Sequence, residues 1–251
     1  MHRKALLIAM VAIFLSACQA LPTHRLHHRV LSDHSLVDAQ SRILLLPLKI
    51  EVKEMSAGGL SDVVPEWTDQ AKRHLRANLL QEGESALVAN QQIVELPALS
   101  DEERASLEEH VSLAKLVWAD AHVLTHFGGP AWAHKAKHFD YGIGPGLAHL
   151  ADKANADKAL IIIGEDVHTT SGRKAMAIGL AALGVAVPLG HTILVGKLVD
   201  LRSGDVLWMN TWVSAGDTSL LEYADAGSAL RALFDGYPGI AEYDKFADAK
   251  D

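Results

Sequence analysis

The chain of 251 residues has little of the chemistry that marks most enzymes. Its one cysteine, Cys18, excludes an intrachain disulfide framework and any metal site with four thiolate ligands. The HExxH motif of metalloproteases and the GxSxG motif of serine hydrolases are both absent from the sequence. We therefore expect a noncatalytic protein that needs no cofactor.

The sequence also has fewer basic than acidic residues. The sequence has 23 Lys and Arg against 31 Asp and Glu, a formal net charge of −8, and no block of basic residues. Such a chain has no general attraction to phosphate backbones, so nucleic acid is not an expected partner. With 49% hydrophobic residues it has ample material for the core of one domain.

The first eighteen residues have the pattern of a secretion signal. A short basic start is followed by the apolar run Ala5 to Leu15, which is too short to span a bilayer. The next residues, Leu15-Ser16-Ala17-Cys18, resemble a bacterial lipobox. This resemblance implies a lipoprotein signal peptide over residues 1–17 and an acylated Cys18, with palmitate among its acyl chains.

Residue 19 is Gln rather than Asp. In lipoproteins of the enterobacterial type, the absence of Asp at this position implies sorting to the outer membrane. Acyl chains contribute about 0.8 kcal/mol per buried CH₂, so they can hold a folded domain at the bilayer without a spanning helix. We therefore expect a domain on the periplasmic face of the outer membrane, anchored by lipid.

Hydrophobic periodicity divides the rest of the chain into three parts. Residues 18–41 lack a sustained apolar period and predict a tether, residues 42–238 predict an α/β domain, and residues 239–251 predict a polar tail. Within the domain, the patterns predict strands over 42–53, 87–96, 158–168, 192–201 and 205–214, and helices over 65–83, 100–126, 147–156 and 217–236. This order predicts an α/β (α+β) fold, one mixed sheet with helices packed on it.

Three local signals sharpen these boundaries. Pro47 predicts a bulge or an edge position in the first strand, since proline cannot donate to a sheet ladder. Ser100 with Glu103 matches a capping box at the start of the long helix. The Ser203-Gly204 pair predicts a tight hairpin between the last two strands, and Asp217 is the expected cap of the final helix.

Two stretches carry a resemblance to a known family. Residues 155–164 (NADKALIIIG) and 199–208 (VDLRSGDVLW) resemble the second half of the CsgG/LpoB/TolB N-terminal type of periplasmic α/β domain. These families include the curli-secretion channel lipoprotein and the lipoprotein activators of peptidoglycan synthases. The resemblance implies a noncatalytic envelope lipoprotein that acts by binding or assembling, and it transfers no functional residue.

An uncharged segment, residues 175–189, lies between two predicted strands and follows Arg173-Lys174. As a helix it would reach about 22 Å, less than the ~30 Å hydrocarbon core of a bilayer. Three interpretations stay open: a helix that packs within the protein or between copies, a helix at the membrane interface, and a pore lining. The expected membrane or oligomer contacts are Arg173, Lys174, Ile178, Leu180, Leu183, Val185 and Val187.

The sequence contains 14 histidines, and two pairs have helical spacing. His122 with His126, and His134 with His138, would each place two imidazoles on one helix face, where together they could supply four nitrogen ligands to zinc or copper. The alternative is that these histidines are surface or boundary residues that respond to pH.

The stretch from Gly128 to Gly146 combines glycines with the aromatic residues Trp132, Phe139 and Tyr141, which are candidate anchors for a protein partner. The alternative is that these aromatic residues belong to the core. The leading hypothesis is a noncatalytic lipoprotein that binds or scaffolds another cell-envelope component. Two alternatives are an oligomeric secretion or export component that uses residues 173–190, and a metal-binding protein that uses the histidine pairs.

Overall fold

The computed structural model describes residues 24–37, 41–81, 91–127, 134–135, 138–187, 189–215 and 218–238, and for residues 122–127 it describes the backbone alone. The predicted signal peptide, Cys18 and the predicted tail over 239–251 lie outside the described residues. Among the helices described, none is long and apolar enough to cross a membrane.

The described residues form one mixed sheet with helices on both faces, which confirms the predicted fold class. The strands are β1 (Arg25–Leu26), β2 (Arg42–Leu45), β3 (Lys49–Met55), β4 (Ser61–Val63), β5 (Gln92–Glu95), β6 (Lys158–Thr169), β7 (His191–Asp200) and β8 (Val206–Ser214). The helices are α1 (His28–Ser32), α2 (Pro65–Leu79), α3 (Asp101–Phe127), α4 (Ala148–Ala154), α5 (Ser171–Ala181) and α6 (Tyr223–Leu233), with short 3₁₀ helices over His34–Val37 and Pro145–Leu147.

The long strand β6 organises the sheet, whose order is β1-β8-β7-β6-β2-β5. Strands β7 and β8 are antiparallel to their neighbours, whereas β2 and β3 both run parallel to β6, one after the other. Leu45 pairs with Leu160 and Lys49 pairs with Ile163, so four residues of the first chain segment pass three residues of β6. Pro47 lies in this bulge, which confirms the prediction for the first strand.

Helices α2 and α6 cover one face of the sheet. Their apolar side chains and those of the strands beneath form one core cluster, whose most buried members include Leu75, Leu79, Trp208, Leu230, Leu233 and Tyr237. The ring of Trp208 lies 5.0 Å from that of Tyr237, and a Cβ on Gly196 of the neighbouring strand would come within 3.0 Å of the indole. Glycine at position 196 therefore makes room for the largest side chain of this core.

Helices α3 and α4 cover the opposite face over a second cluster that includes Leu107, Val111, Leu147, Leu150, Ile161 and Met209. The start of α3 confirms the predicted capping box: the backbone N–H of Glu103 donates to Ser100 Oγ at 3.2 Å, and the N–H of Ser100 donates to the Glu103 carboxylate at 2.6 Å. The domain is thus a three-layer arrangement of helices, sheet and helices.

The structure corrects the predicted tether over 18–41. Residues Arg25 and Leu26 pair with Met209 and Trp208 of β8, and Val30 and Val37 are buried in the first core cluster. The sequence does not suggest this contact, because β1 has only two residues and its partner lies near the other end of the chain. The N-terminal segment from residue 24 to 37 belongs to the folded domain.

The final helix also begins later than predicted. Helix α6 starts at Tyr223 with Glu222 as its N-cap, and residue 217 lies outside the described part of the chain. Helix α2 ends at Leu79, ahead of the predicted stop near residue 83. The predicted strand over 87–96 is shorter in the structure, where β5 spans Gln92–Glu95 and residues 82–90 are not described.

Candidate functional site

The uncharged segment predicted from the sequence extends from one end of the sheet. Strand β6 ends at Thr169, helix α5 follows, and the chain returns to the sheet at His191. The side chain of Thr170 caps α5 by accepting the N–H of Arg173 at 3.3 Å. At the other end Gly184 has φ +78°, a backbone region that glycine adopts without strain, and the N–H of Val185 donates to Leu180 O at 3.0 Å. We call residues 171–189 the apolar arm.

The apolar arm leaves large hydrophobic side chains in solvent. Ile178 is 74% exposed and Leu183 is 78% exposed, and Met176, Val185 and Leu189 are also exposed. Leu180 and Val187 are half-buried, and Lys174 is exposed. Most of the predicted contact residues therefore lie at a free surface of the described structure.

Arg173 differs from that prediction because it is buried. Its guanidinium lies beside the hairpin of β3 and β4, 3.3 Å from where a Cβ on Gly59 would be. Within α5, Arg173 and Ala177 are the two buried residues, and they lie one turn apart. Helix α5 thus packs against the domain through one narrow face that contains Arg173 and Ala177. Arg173 is part of this packed face and not of the exposed surface.

The β3–β4 hairpin extends this hydrophobic surface. The N–H of Thr170 donates to Met55 O at 3.1 Å, which holds the start of α5 against the hairpin. On the hairpin, Leu60 is 75% exposed and Val63 is also exposed. Exposed hydrophobic side chains that cluster on a surface mark contact sites, and the hairpin adjoins the start of α5, so we take the arm and hairpin together as the candidate functional surface.

A charged network links three strands of the sheet, β3, β6 and the first residue of β7. Glu165 of β6 accepts hydrogen bonds from Lys53 Nζ and His191 Nε2, both at 2.9 Å. Burial raises the pKa of Glu165, but the hydrogen bonds from Lys53 and His191 outweigh it and hold this pKa below its ordinary value. The hydrogen bond from Lys53 to Glu165 raises the pKa of Lys53. The network places charged side chains on the sheet, whereas residues 175–189 of the arm carry no charge.

Sequence reasoning missed a buried carboxylate on the other face of β6. Asp166 is 1% exposed, and it accepts hydrogen bonds from Thr192 Oγ1 at 2.9 Å and from the N–H of Leu220 at 2.8 Å. Its Oδ2 also lies 2.8 Å from His168 Nε2, and the His168 ring contacts Trp67 edge-on at 5.7 Å. All these partners hold the strand to its surroundings, so we assign Asp166 a structural role. The one sequence signal is an acidic residue within a strand that is otherwise largely apolar.

The structure describes two of the three candidate aromatic anchors. Phe139 is buried in the second core cluster, so for this residue the alternative interpretation is correct. Tyr141 is half-buried, and its hydroxyl donates to Asp120 Oδ2 at 3.0 Å. Burial, together with this hydrogen bond, raises the pKa of Tyr141. Trp132 lies outside the described residues.

The candidate metal ligands are only partly described. The side chains of His122 and His126 lie outside the described residues, and His134 and His138 are exposed. The ring of His138 stacks on His28 with centroids 4.9 Å apart, a geometry that serves packing rather than ligation. Among the described residues, no group of three or more histidine, cysteine or acidic side chains is placed to hold a metal ion. Metal binding by the two pairs stays a prediction.

Comparisons with known proteins give distant structural neighbours alone. No family model and no curated protein matches the chain. A PelC dodecamer from Paraburkholderia phytofirmans is similar at 12% identity over 81% of this chain and 90% of that one, with a TM-score of 0.36. The lipoprotein GNA1162 from Neisseria meningitidis has 15% identity over 84% and 99% of the two chains and a TM-score of 0.31.

The LpoB C-terminal domain from Salmonella enterica, a member of one family that the sequence resembles, is also among the neighbours. It has 12% identity over 74% of this chain and 90% of that one, with a TM-score of 0.27. The neighbours thus include lipoproteins, but TM-scores this low carry no argument about function.

Proposed function

We propose that this protein is a noncatalytic lipoprotein, anchored to the periplasmic face of the outer membrane through Cys18, that binds or scaffolds another cell-envelope component. The observation that carries the proposal is the apolar arm, where the exposed Ile178 and Leu183 belong to residues 175–189, a stretch without charge. The lipobox-like sequence before Cys18 supports the anchor.

The attachment of the arm favours a contact with a partner over a role in the protein's own core. Only Arg173 and Ala177 of α5 are buried, so most of the helix contributes little to folding in the isolated chain. An exposed hydrophobic side chain contributes about 1.5–3 kcal/mol when it becomes fully buried. Ile178, Leu183 and Val185 stay exposed in the isolated chain, so their burial in an interface would contribute to the free energy of binding.

Site-specific photocrosslinking in cells tests this proposal. A photoreactive amino acid is placed at position 178 or 183, and as a matched control at position 116, where Leu116 is a large exposed hydrophobic residue on α3, remote from the arm in sequence. We expect a discrete adduct with one other envelope protein at positions 178 and 183 and none at 116.

Other outcomes contradict the proposal in distinguishable ways. Adducts between copies of this chain alone would indicate the oligomeric export component, and adducts with lipid alone would indicate a membrane-interface helix. The anchor is tested separately by Cys18→Ala, which we expect to release the protein from the membrane fraction. A variant that stays in the outer membrane would contradict anchoring through Cys18.

A further inference from the structure

A cavity of about 560 Å³ lies on the face of the sheet that α3 covers. Its apolar lining includes Val111 and Trp118 from α3 and Ile163, Ile193 and Val195 from the sheet. The cavity also reaches past β3 to Thr68 and Lys72 of α2. Its volume is within the range of small-molecule sites, which is roughly 300–1,000 Å³.

Strand register explains the floor of the cavity. Ile163 pairs with Val195, and Glu165 pairs with Ile193, so these four side chains form two adjacent rows on β6 and β7. Because residues two apart on a strand point to the same face, both rows lie on the face that α3 covers. The floor is therefore mostly hydrophobic, with one carboxylate.

The charges around the cavity are unevenly compensated. The lining carboxylates already have partners: Glu108 pairs with Lys49 at 2.5 Å, and Glu51 and Glu165 pair with Lys53 at 3.0 and 2.9 Å. Two further lysines line the cavity, Lys72 on α2 and Lys115 on α3.

Neither Lys72 nor Lys115 forms an ion pair or a side-chain hydrogen bond within the described part of the chain. The two lysines come from helices on opposite faces of the sheet and border the same cavity. Glu51 and Glu165 share Lys53, so the lining has four lysines against three glutamates and a net charge of +1, next to a hydrophobic floor.

We propose that this cavity binds an amphipathic organic anion. Its phosphate or carboxylate head lies between Lys72 and Lys115, and its apolar body lies against Ile163, Ile193 and Val195. Lysine ammonium groups act as point charges that pair with either head group. The hydrophobic floor contributes by excluding water from the apolar body. This ligand site is separate from the apolar arm, and it does not depend on the proposed function.

Calorimetry on the protein as purified from cells, in dodecyl maltoside, a neutral detergent, tests the site. The probes are hexyl phosphate and heptanoate as amphipathic anions, inorganic phosphate as a head group alone, and hexanol as an apolar body alone. We expect saturable binding of at least one amphipathic anion, and binding of inorganic phosphate and hexanol at least about tenfold weaker, because each lacks one half of the contacts. The two amphipathic probes distinguish a phosphate head from a carboxylate head.

Variants locate the binding within the protein. Lys72→Gln and Lys115→Gln should each weaken binding of the amphipathic anion roughly five- to tenfold, as expected for the loss of one charge-assisted contact. Lys174→Gln removes the same charge from the exposed surface of α5 and should leave the affinity unchanged. Ser112→Trp should fill the mouth of the cavity and abolish binding, whereas Leu113→Trp, at the next exposed position of α3 and outside the cavity lining, should not.

Three results would overturn the proposal. The first is the absence of saturable binding of either amphipathic anion, and the second is binding that survives Ser112→Trp unchanged. The third is inorganic phosphate that binds as tightly as hexyl phosphate, which would leave no role for the hydrophobic floor.

Discussion

The carboxylate of Asp166 on β6 accepts a hydrogen bond of 2.8 Å from the backbone N–H of Leu220, which lies ahead of helix α6. Both residues are almost completely buried. One buried carboxylate thus ties the central strand to the segment that leads into the last helix. It also accepts the hydroxyl of Thr192 on β7, so three parts of the chain meet at one side chain.

Replacing Asp166 should destabilise the domain. Asp166→Ala leaves the N–H of Leu220 without its acceptor and removes one of the two acceptors of the Thr192 hydroxyl, the other being Thr218 O at 3.2 Å. An unsatisfied buried polar group costs about 1–3 kcal/mol, and a hydrogen bond to a charged group contributes about 1.5–3 kcal/mol. We expect the free energy of unfolding to fall by about 2–4 kcal/mol in urea titrations. Asp62→Ala, at an exposed position on β4, is the control and should change it by less than about 0.5 kcal/mol. Equal effects of the two substitutions would show that the Asp166 contacts contribute nothing.

The N-terminal segment can be tested through two neighbouring residues of α1. Val30 is completely buried, whereas Leu31 is 61% exposed. Val30→Ala should lower the free energy of unfolding by about 1–3 kcal/mol because it creates a cavity in the core, and Leu31→Ala should change it by less than about 0.5 kcal/mol. Thermal unfolding of both variants measures the difference. A Val30→Ala variant as stable as the wild type would support a tether over this segment.

Lys197 should make stability depend on pH. Its Nζ donates a hydrogen bond to Ala114 O in the core, and burial lowers the pKa of Lys197 to about 7. In the unfolded chain the pKa of lysine is about 10.4, so the unfolded state binds more protons between these values and stability rises with pH from about 7 to about 10. The slope contributed by one group is at most about 1.4 kcal/mol per pH unit.

The measurement compares urea unfolding of wild type and Lys197→Met at pH 7, 8 and 9. The variant should lack most of the increase in stability with pH. Lys174→Met replaces an exposed lysine and should keep the slope of the wild type. If the free energy of unfolding rises equally with pH in the wild type and in Lys197→Met, the result would contradict a lowered pKa for Lys197.

His27 should have the same kind of effect at acidic pH, where stability again falls as the pH is lowered. Burial lowers the pKa of His27, against the attraction of Asp205, while its Nδ1 accepts the N–H of Arg29 at 3.3 Å. Below the ordinary pKa of about 6.5 the unfolded chain takes up the proton first, so stability is lost as the pH falls from about 6.5 towards 5.

The expected effect of acid is a looser N-terminal segment, measured as hydrogen-exchange protection of residues 24–37 at pH 7 and pH 5. His27→Asn keeps an acceptor for Arg29 but does not titrate, so it should lose less protection than the wild type. Some loss should remain, because burial lowers the pKa of His24 as well. If His27→Asn loses as much protection as the wild type, titration of His27 is not the cause.

Features that depend on neighbours in sequence could be predicted without the structure. The capping box at Ser100 and Glu103 follows from hydrogen bonds three residues apart, and the bulge at Pro47 follows from a missing N–H. The hairpin before β8 follows from turn residues in the same way, with Gly204 at φ +77°. The apolar arm was visible because fifteen residues without charge need no long-range information to recognise.

Features that depend on distant pairing were missed or wrong. The predicted tether fails at β1, because its partners Trp208 and Met209 lie far along the chain and a strand of two residues has no recognisable period. Phe139 was a candidate surface anchor because of its aromatic ring, but it is buried in the second core cluster. The partners of Asp166 come from β7 and from the segment before α6, and only the fold brings them together.

The sequence by itself determined the type and order of most elements, the mixed sheet and the uncharged arm, because helix and strand periods and turn chemistry act over a few residues. The tertiary structure alone decided which faces are covered. It buries Arg173 while leaving Ile178 in solvent, and it places Lys72 and Lys115 at one cavity from opposite faces of the sheet. The physical reason is that burial depends on strand register and helix packing between segments far apart in the chain, which no local pattern specifies.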